Sequence, residues 1–247
     1  MFMNMEIIIK TKEKIVFVEE MSESLANALR RTVSEVPVLA VDEVEFYKND
    51  SVLNDQMLAH RIGLVPLKNE KLVMREDCTC NGEGCAKCTI QLKVGAQGLK
   101  TVYAKDIKGK AEPVYEDMPI AILDKDQELE FVAHARVGRG IEHAKYSPGL
   151  VYYRHAYTLE GKQEKKFKEI LERYKHQITF IEKNGDTSLA DLPEVCVSEL
   201  QEIEGVKVYP SDRMVFVIES FGQIEAKDIL LQGIDILREN LKRLDKE

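Results

Sequence analysis

SESLANALRRTVSEVPVLAVDEVEFY, residues 22–47, decides how this chain begins to fold. Ser22 can cap a helix through its hydroxyl, and Glu23 suits the positive first turn. Leu25, Ala28, Leu29, Val33 and Val36 recur at helical spacing and give one apolar face. Pro37 cannot continue a helix, so the segment stops there and VLAVDEVEFY (38–47) follows as a strand. Arg30 and Arg31 lie off the apolar face, either as solvated charge or as a polar contact for a partner.

Working outward, MEIII (5–9) and KIVFV (14–18) read as two strands joined by a hairpin turn at KTKE. LNDQMLAHRIGLVPL (53–67) places Met57, Leu58, Ile62 and Leu64 at roughly helical spacing before Pro66. CTIQLKVGA (88–96) and KTVYAKDI (100–107) are β-rich, and ELEFVAHARVG (128–138) alternates apolar and polar positions as a half-buried strand does. HAKYSPGLVYYRHAY (143–157) is aromatic-rich. GKQEKKFKEILERYKHQ (161–177) reads as a short amphipathic helix on Phe167, Ile170, Leu171 and Tyr174, with strand and loop character from there to about 205.

RMVFVIESFG (213–222) is a strand that stops at Gly222, and EAKDILLQGIDILRENLKRLDKE (225–247) is a long helix. Leu230, Ile234, Leu237, Leu241 and Leu244 step by 4, 3, 4 and 3, the seam of a helix that packs lengthwise on another. That seam can be buried within its own domain or against a partner chain.

CTCNGEGCAKC, residues 78–88, holds four of the five cysteines. Cys78, Cys80, Cys85 and Cys88 are close enough to converge on one tetrahedral ion, with Gly82 and Gly84 allowing the chain to reverse between the pairs. Eleven residues are too few for a zinc ribbon, the ferredoxin spacings do not match, and four thiolates leave no open position for catalysis. Structural zinc leads, and disulfides or an iron–sulfur or redox role stay open.

Other features narrow the function. With 44% hydrophobic and 32% charged residues over 247, the chain can build one large or two smaller domains. A net charge of −8 argues against gripping phosphate backbones, so direct sequence-specific nucleic-acid binding is not expected. No signal peptide or membrane-length apolar run is read, and the expected location is cytoplasmic. No P-loop, GxGxxG, GxSxG or HExxH occurs, Val137-Gly-Arg-Gly140 has the wrong spacing for a phosphate cradle, and the five histidines are scattered.

ANALRRTVSEVPVLAVDEVEF (26–46) followed by NDQMLAHRIGLVPL (54–67) resembles the D-subunit family of archaeal RNA polymerase, which is also similar to the eukaryotic third-largest subunit and the N-terminal part of the bacterial alpha subunit. The cysteine loop, HAKYSPGLVYYR (143–154) and VFVIESFG (215–222) agree, in family order and over nearly the whole chain. The resemblance implies an α+β fold. Residues 1–47 and 206–247 would form a discontinuous dimerisation domain of sheet plus two long helices. Residues 48–157 would form a β-rich insert domain carrying the cysteine loop. It also implies a non-catalytic assembly platform within a DNA-directed RNA polymerase, a nucleotidyltransferase whose catalytic residues lie on other subunits. The implied partners are subunit L in a heterodimer, the second-largest and largest subunits, and subunits N and P.

Asn27, Arg30 and Arg31 match a block near large-subunit contacts, His60, Arg61 and Gly63 match the insert-domain block, and the four loop cysteines match the zinc loop of eukaryotic relatives. Many family members carry a ferredoxin-like domain with iron–sulfur clusters at the position of 158–205. Here that stretch holds only Cys196, so a reduced subdomain without a cluster is expected, with Cys196 an ordinary buried or half-buried thiol.

Overall fold

The computed structural model describes residues 5–68, 71–161 and 165–244. Strands β1 (Glu6–Lys10) and β2 (Lys14–Glu20) form an antiparallel hairpin. Helix α1 (Glu23–Val33) follows, with the Ser22 hydroxyl accepting from the Leu25 N–H at 3.3 Å. Its buried residues are Ala26, Leu29, Thr32 and Val33, while Leu25 and Ala28 are only half-buried. The apolar face is thus rotated from the one expected, because Thr32 takes a place in it.

Strand β3 (Val38–Asn49) comes next, then helix α2 (Asp55–Gly63), capped by the Asn54 side chain accepting from the Met57 N–H. Strands β4 (Thr89–Gln97), β5 (Lys100–Tyr103), β6 (Lys108–Gly109), β7 (Pro119–Leu123) and β8 (Glu128–Gly138) build most of the middle of the chain. Strand β9 (Gly149–Glu160), helix α3 (Lys165–Arg173), strands β10 (Thr179–Asn184) and β11 (Thr187–Asp191) and helix α4 (Glu194–Gln201) follow. Strand β12 (Lys207–Ser220) and helix α5 (Ala226–Leu244) end the described chain. The helices expected over 161–177 and 225–247 fall partly on 162–164 and 245–247, outside the described residues, as residues 1–4 of the expected first domain also do.

The fold is α+β, with two main sheets. One has six strands in the order β1-β2-β12-β9-β11-β10; the other has four, in the order β3-β8-β4-β6; β5 and β7 make a separate pair. Two compact units result. One contains the residues up to Arg30 together with Val151–Ile218, and the other Arg31–Leu150 together with the residues from Glu219 on.

In the first unit, Val16, Val18, Ala156, Val215 and Val217 make a strand-borne core, and Phe17 stacks on Phe216 at 5.2 Å between ring centroids. A second cluster joins Leu159, Phe167, Ile170, Ala190, Cys196 and Leu200. In the second unit, the alternating faces of β4 and β8 (Leu92, Val94, Leu129, Phe131, Ala133) pack with Leu58 and Ile62 of α2. Burying each Val, Leu, Ile or Phe among these stabilises the fold by about 1.5–3 kcal/mol before chain entropy is subtracted.

These limits differ from the boundaries expected at 47/48, 157/158 and 205/206. Residues 38–47 run with β3, which pairs antiparallel with β8 from Val38↔Gly138 to Asn49↔Leu129. Within 158–205, β11 pairs with β9 and β10 with β11, so this stretch extends the sheet that carries β1 and β2. Backbone pairing between strands distant in sequence sets the limits of these units, whereas the expected boundaries are those that the family resemblance implies.

Candidate metal centre and pairing helix

The cysteine loop opens with a 3-10 turn at Arg75–Asp77 and closes where β4 begins. Short-range backbone bonds shape it: the Asn81 N–H donates to the Cys78 carbonyl at 3.1 Å, and the Cys88 N–H to the Cys85 carbonyl at 3.0 Å. Between these two turns the backbone passes through positive φ at Asn81 (51°), Gly82 (87°) and Gly84 (90°). Glycine adopts this region at no steric cost. The glycines expected to reverse the chain between the cysteine pairs do so.

All four sulfurs lie within 4.8 Å of one another. Cys78 and Cys85 approach to 3.6 Å, as do Cys80 and Cys88. Zinc–sulfur bonds of about 2.3 Å at tetrahedral angles set sulfurs about 3.8 Å apart, so this cluster needs little movement to close on an ion. Cys78 and Cys88 are buried, Cys80 and Cys85 half-buried, and all five cysteines are free thiols. The backbone N–H groups of Cys85 and Gly84, with the Cys78 side chain, lower the Cys80 pKa to about 6. The Cys80 backbone N–H lowers that of Cys78, but the Cys80 thiol, burial and the other thiols outweigh it and push Cys78 up to about 11. A metal would have to take the protons of all four thiols, and Cys80 gives up its own most readily.

Beside the loop lies a polar centre that the sequence did not reveal. Asp42 sits where β3 departs from regular register, between Val41 and Glu43. Its carboxylate accepts from Arg136 Nε at 2.7 Å, Lys145 Nζ at 2.9 Å and the Tyr146 hydroxyl at 2.9 Å. Burial alone would raise its pKa, but these three bonds hold it well below the usual carboxylate range. Arg136 also binds Glu142, and Arg139 pairs with Glu76 in the 3-10 turn at 3.7 Å. The centre therefore ties the 139–147 turn and the start of the cysteine loop to the four-stranded sheet.

The remaining expected site residues are dispersed. Asn27 is bound within α1, accepting from Arg30 Nη2 at 2.9 Å, while Arg30 and Arg31 are exposed. Arg61 pins α2 to β7 through the carbonyls of Pro119 and Ile120, at 2.7 and 3.0 Å, whereas His60 is exposed. On α5 the seam divides. Leu230 is 4% exposed and Ile234 and Leu237 are half-buried, but Leu241 is 49% and Leu244 69% exposed. Gly233 lies against Val33, and Asn240 donates to Glu35 at 3.2 Å. Among the described residues no helix is long and apolar enough to cross a membrane.

Known proteins place this geometry. Residues 44–150, which hold most of the four-stranded sheet and the cysteine loop, match the RNA polymerase Rpb3/RpoA insert domain, and this part of the chain is of that class. The likeness continues through the rest of the chain. DNA-directed RNA polymerase subunit Rpo3 of Pyrococcus horikoshii is 34% identical over 98% of this chain and 96% of that protein. The same subunit of Pyrococcus furiosus is 33% identical over 98% and 95%, and that of Methanothermobacter thermautotrophicus 33% over 95% of each. The chain belongs to the archaeal Rpo3 family, the D-subunit family, of DNA-directed RNA polymerase.

Proposed function

We propose that this chain is the non-catalytic assembly platform of an archaeal DNA-directed RNA polymerase, pairing with subunit L and carrying the two large catalytic subunits, with N and P joining the platform. The observation that carries this is the full-length likeness to Rpo3 subunits, supported by the form of α5. Its first turns bury Ala226, Ile229, Leu230 and Gly233 in the chain's own core, while Leu241 and Leu244 continue the seam into solvent. Exposed leucines at heptad spacing suit a helix that meets another chain's helix. The face of α1 bearing Arg30 and Arg31 offers cations for further contacts with large subunits. Dimerisation is assigned to the terminal segments 1–47 and 206–247, and the cysteine loop to the insert domain.

The four cysteines hold one structural Zn²⁺. Their all-sulfur donor set, near-tetrahedral spacing and mutual closeness support this reading. Zinc would fasten the loop and take no part in chemistry.

Co-expression of the chain with an archaeal subunit L, followed by native mass spectrometry without chelator, tests both statements. The expected result is a 1:1 heterodimer with one zinc. Leu241→Asp places a charge in the exposed part of the seam, so it should leave the lone chain folded while removing L from the complex. Full co-purification of L with this variant would overturn the assignment of α5 as the pairing helix.

A further inference from the structure

Arg75 is held only by two long ion pairs, to Asp42 and Glu43, among the described residues. Its side chain is only 25% exposed, and its Nε is buried without a hydrogen bond. Its Nη1 stands 4.0 Å from Asp42 Oδ2 and 3.8 Å from Glu43 Oε1, outside hydrogen-bonding range of both. The reason is competition: Asp42 is already occupied by Arg136, Lys145 and Tyr146. A guanidinium whose Nε is buried and unbonded costs free energy unless another negative group answers it.

On its other side the guanidinium meets the cysteine loop. A Cβ added at Gly84 would lie 3.2 Å from Arg75 Nη2 and 3.6 Å from its Cζ. Gly84 lies in the loop between Cys80 and Cys85. Arg75 and Cys85 also line one cavity of about 710 Å³, with Lys71, Lys110, Glu43 and Glu83 on its wall. Four thiolates around one divalent cation carry a net charge of −2, held here by two buried and two half-buried sulfurs.

We infer that Arg75 is the counter-charge of the four-thiolate site: its guanidinium, displaced from Asp42 by stronger donors, balances the excess negative charge of the metal-bound loop. This rests on the reading of the loop as a metal site. Arg75 is a positioning residue, acting on the electrostatics of the ligands without touching the ion.

The test is competition for Zn²⁺ between the full-length chain and a chromophoric chelator, with Co²⁺ absorption as a second reading of the site. Arg75→Gln should lower zinc affinity by about 10–100-fold, the range found when groups just outside a metal's ligands are removed. Arg75→Lys, which keeps the charge, should recover much of that loss. Glu43→Gln separates charge from tethering. It frees Arg75 from its nearest competing carboxylate, so zinc should bind as tightly as in the parent chain or tighter. Wild-type affinity in Arg75→Gln would overturn the inference. So would a Glu43→Gln variant as weak as Arg75→Gln, because Arg75 would then act by tethering the loop to β3. Glu43→Gln keeps the question answerable if Arg75→Gln does not fold. A parent chain that takes up no zinc or cobalt would overturn the metal reading and this inference with it.

Discussion

The cysteine loop and the cluster around α4 put the same side chain in opposite surroundings. In the loop, backbone N–H groups aimed at sulfur lower the Cys80 pKa to about 6. In the cluster, Cys196 is fully buried among Leu159, Phe167, Ile170 and Leu200, and burial, with a smaller push from Glu199, drives its thiol up to about 11. One environment supplies donors for a charged sulfur and the other supplies none. The difference teaches that a cysteine's chemistry is set by the polar groups that its neighbours bring within reach. The immediate surroundings differ in the same way: the Asp42 centre lies beside the loop, whereas the cluster around Cys196 is apolar.

The sharpest way to break this contrast is to remove the charged centre. Asp42→Asn leaves Lys145 part-buried without its carboxylate and Arg136 with Glu142 alone. Losing one member of a fully buried ion pair costs about 3–5 kcal/mol; this centre is part-exposed, so the loss is smaller, and the unit built on β3 and β8 should unfold at lower denaturant. The pH dependence has a definite sign. The Asp42 pKa is depressed by folding, so its contribution is present above the ordinary carboxylate range and lost as pH falls toward its folded value. Denaturant midpoints of parent and variant should therefore converge in acid. Equal midpoints at pH 7 would show that the centre does not hold the unit.

Thiol reactivity compares the two regions directly. At pH 7 a thiol of pKa 6 is mostly thiolate, whereas one of pKa 11 is about one part in ten thousand. The weaker nucleophilicity of the more acidic thiol returns about two orders of magnitude, leaving Cys80 roughly fifty-fold faster before access is counted. In the metal-stripped chain, timed alkylation read by peptide mass spectrometry should find Cys80 labelled first and Cys196 unlabelled until denaturant is added. Zinc should protect all four loop cysteines and leave Cys196 as it was.

Cys196→Ser exchanges a buried thiol for a hydroxyl in the same apolar site. An unsatisfied buried hydroxyl costs about 1–3 kcal/mol, and Cys196→Ala should be milder because it brings no polar group. If thermal melts rank serine as the milder change, the site is wetter than its neighbours imply.

How far each region could be read from sequence follows from the range of its interactions. The alternation of 128–138 matches β8 residue for residue, and the cysteine spacing indicated the cluster, because both patterns are local. Asp42 was read only as part of a strand. Its three partners lie 94, 103 and 104 residues away, and nothing near it in sequence signals a charge centre. The sequence of α4 reads as strand and loop because EVCVSELQ is eight residues long, holds two valines and is preceded by Pro193. β7 leaves little signal in the sequence: it is five residues long, and its Ile122 is 70% exposed, which blurs the alternation of a half-buried strand. The seam of α5 was legible, but its division into buried and exposed halves depends on where residues near Val33 and Glu35 pack.

The smallest effect lies in the six-stranded unit, where His155 supplies a charged contact without a buried centre. Its Nδ1 meets the Ser211 carbonyl and its Nε2 the Glu23 carboxylate, both at 2.9 Å. Both partners are acceptors, so both ring nitrogens donate only when the imidazole is protonated. Glu23 first, then Ser211, raise the pKa of His155 against a smaller opposing effect of burial. A pKa raised by folding contributes stability that is complete below the unfolded value of about 6.5 and is lost as pH rises through the folded value. The side chains of His155 and Glu23 are 35% and 71% exposed, and solvent screening of such a pair holds the gain below about 1 kcal/mol. His155→Gln should therefore destabilise the chain slightly at pH 6 and not at pH 9, with the folded pKa read from the imidazole proton shifts by NMR. A shift midpoint at or below 6.5 would show that Glu23 does not hold the ring, and the α1 end of this unit would then depend on apolar packing alone.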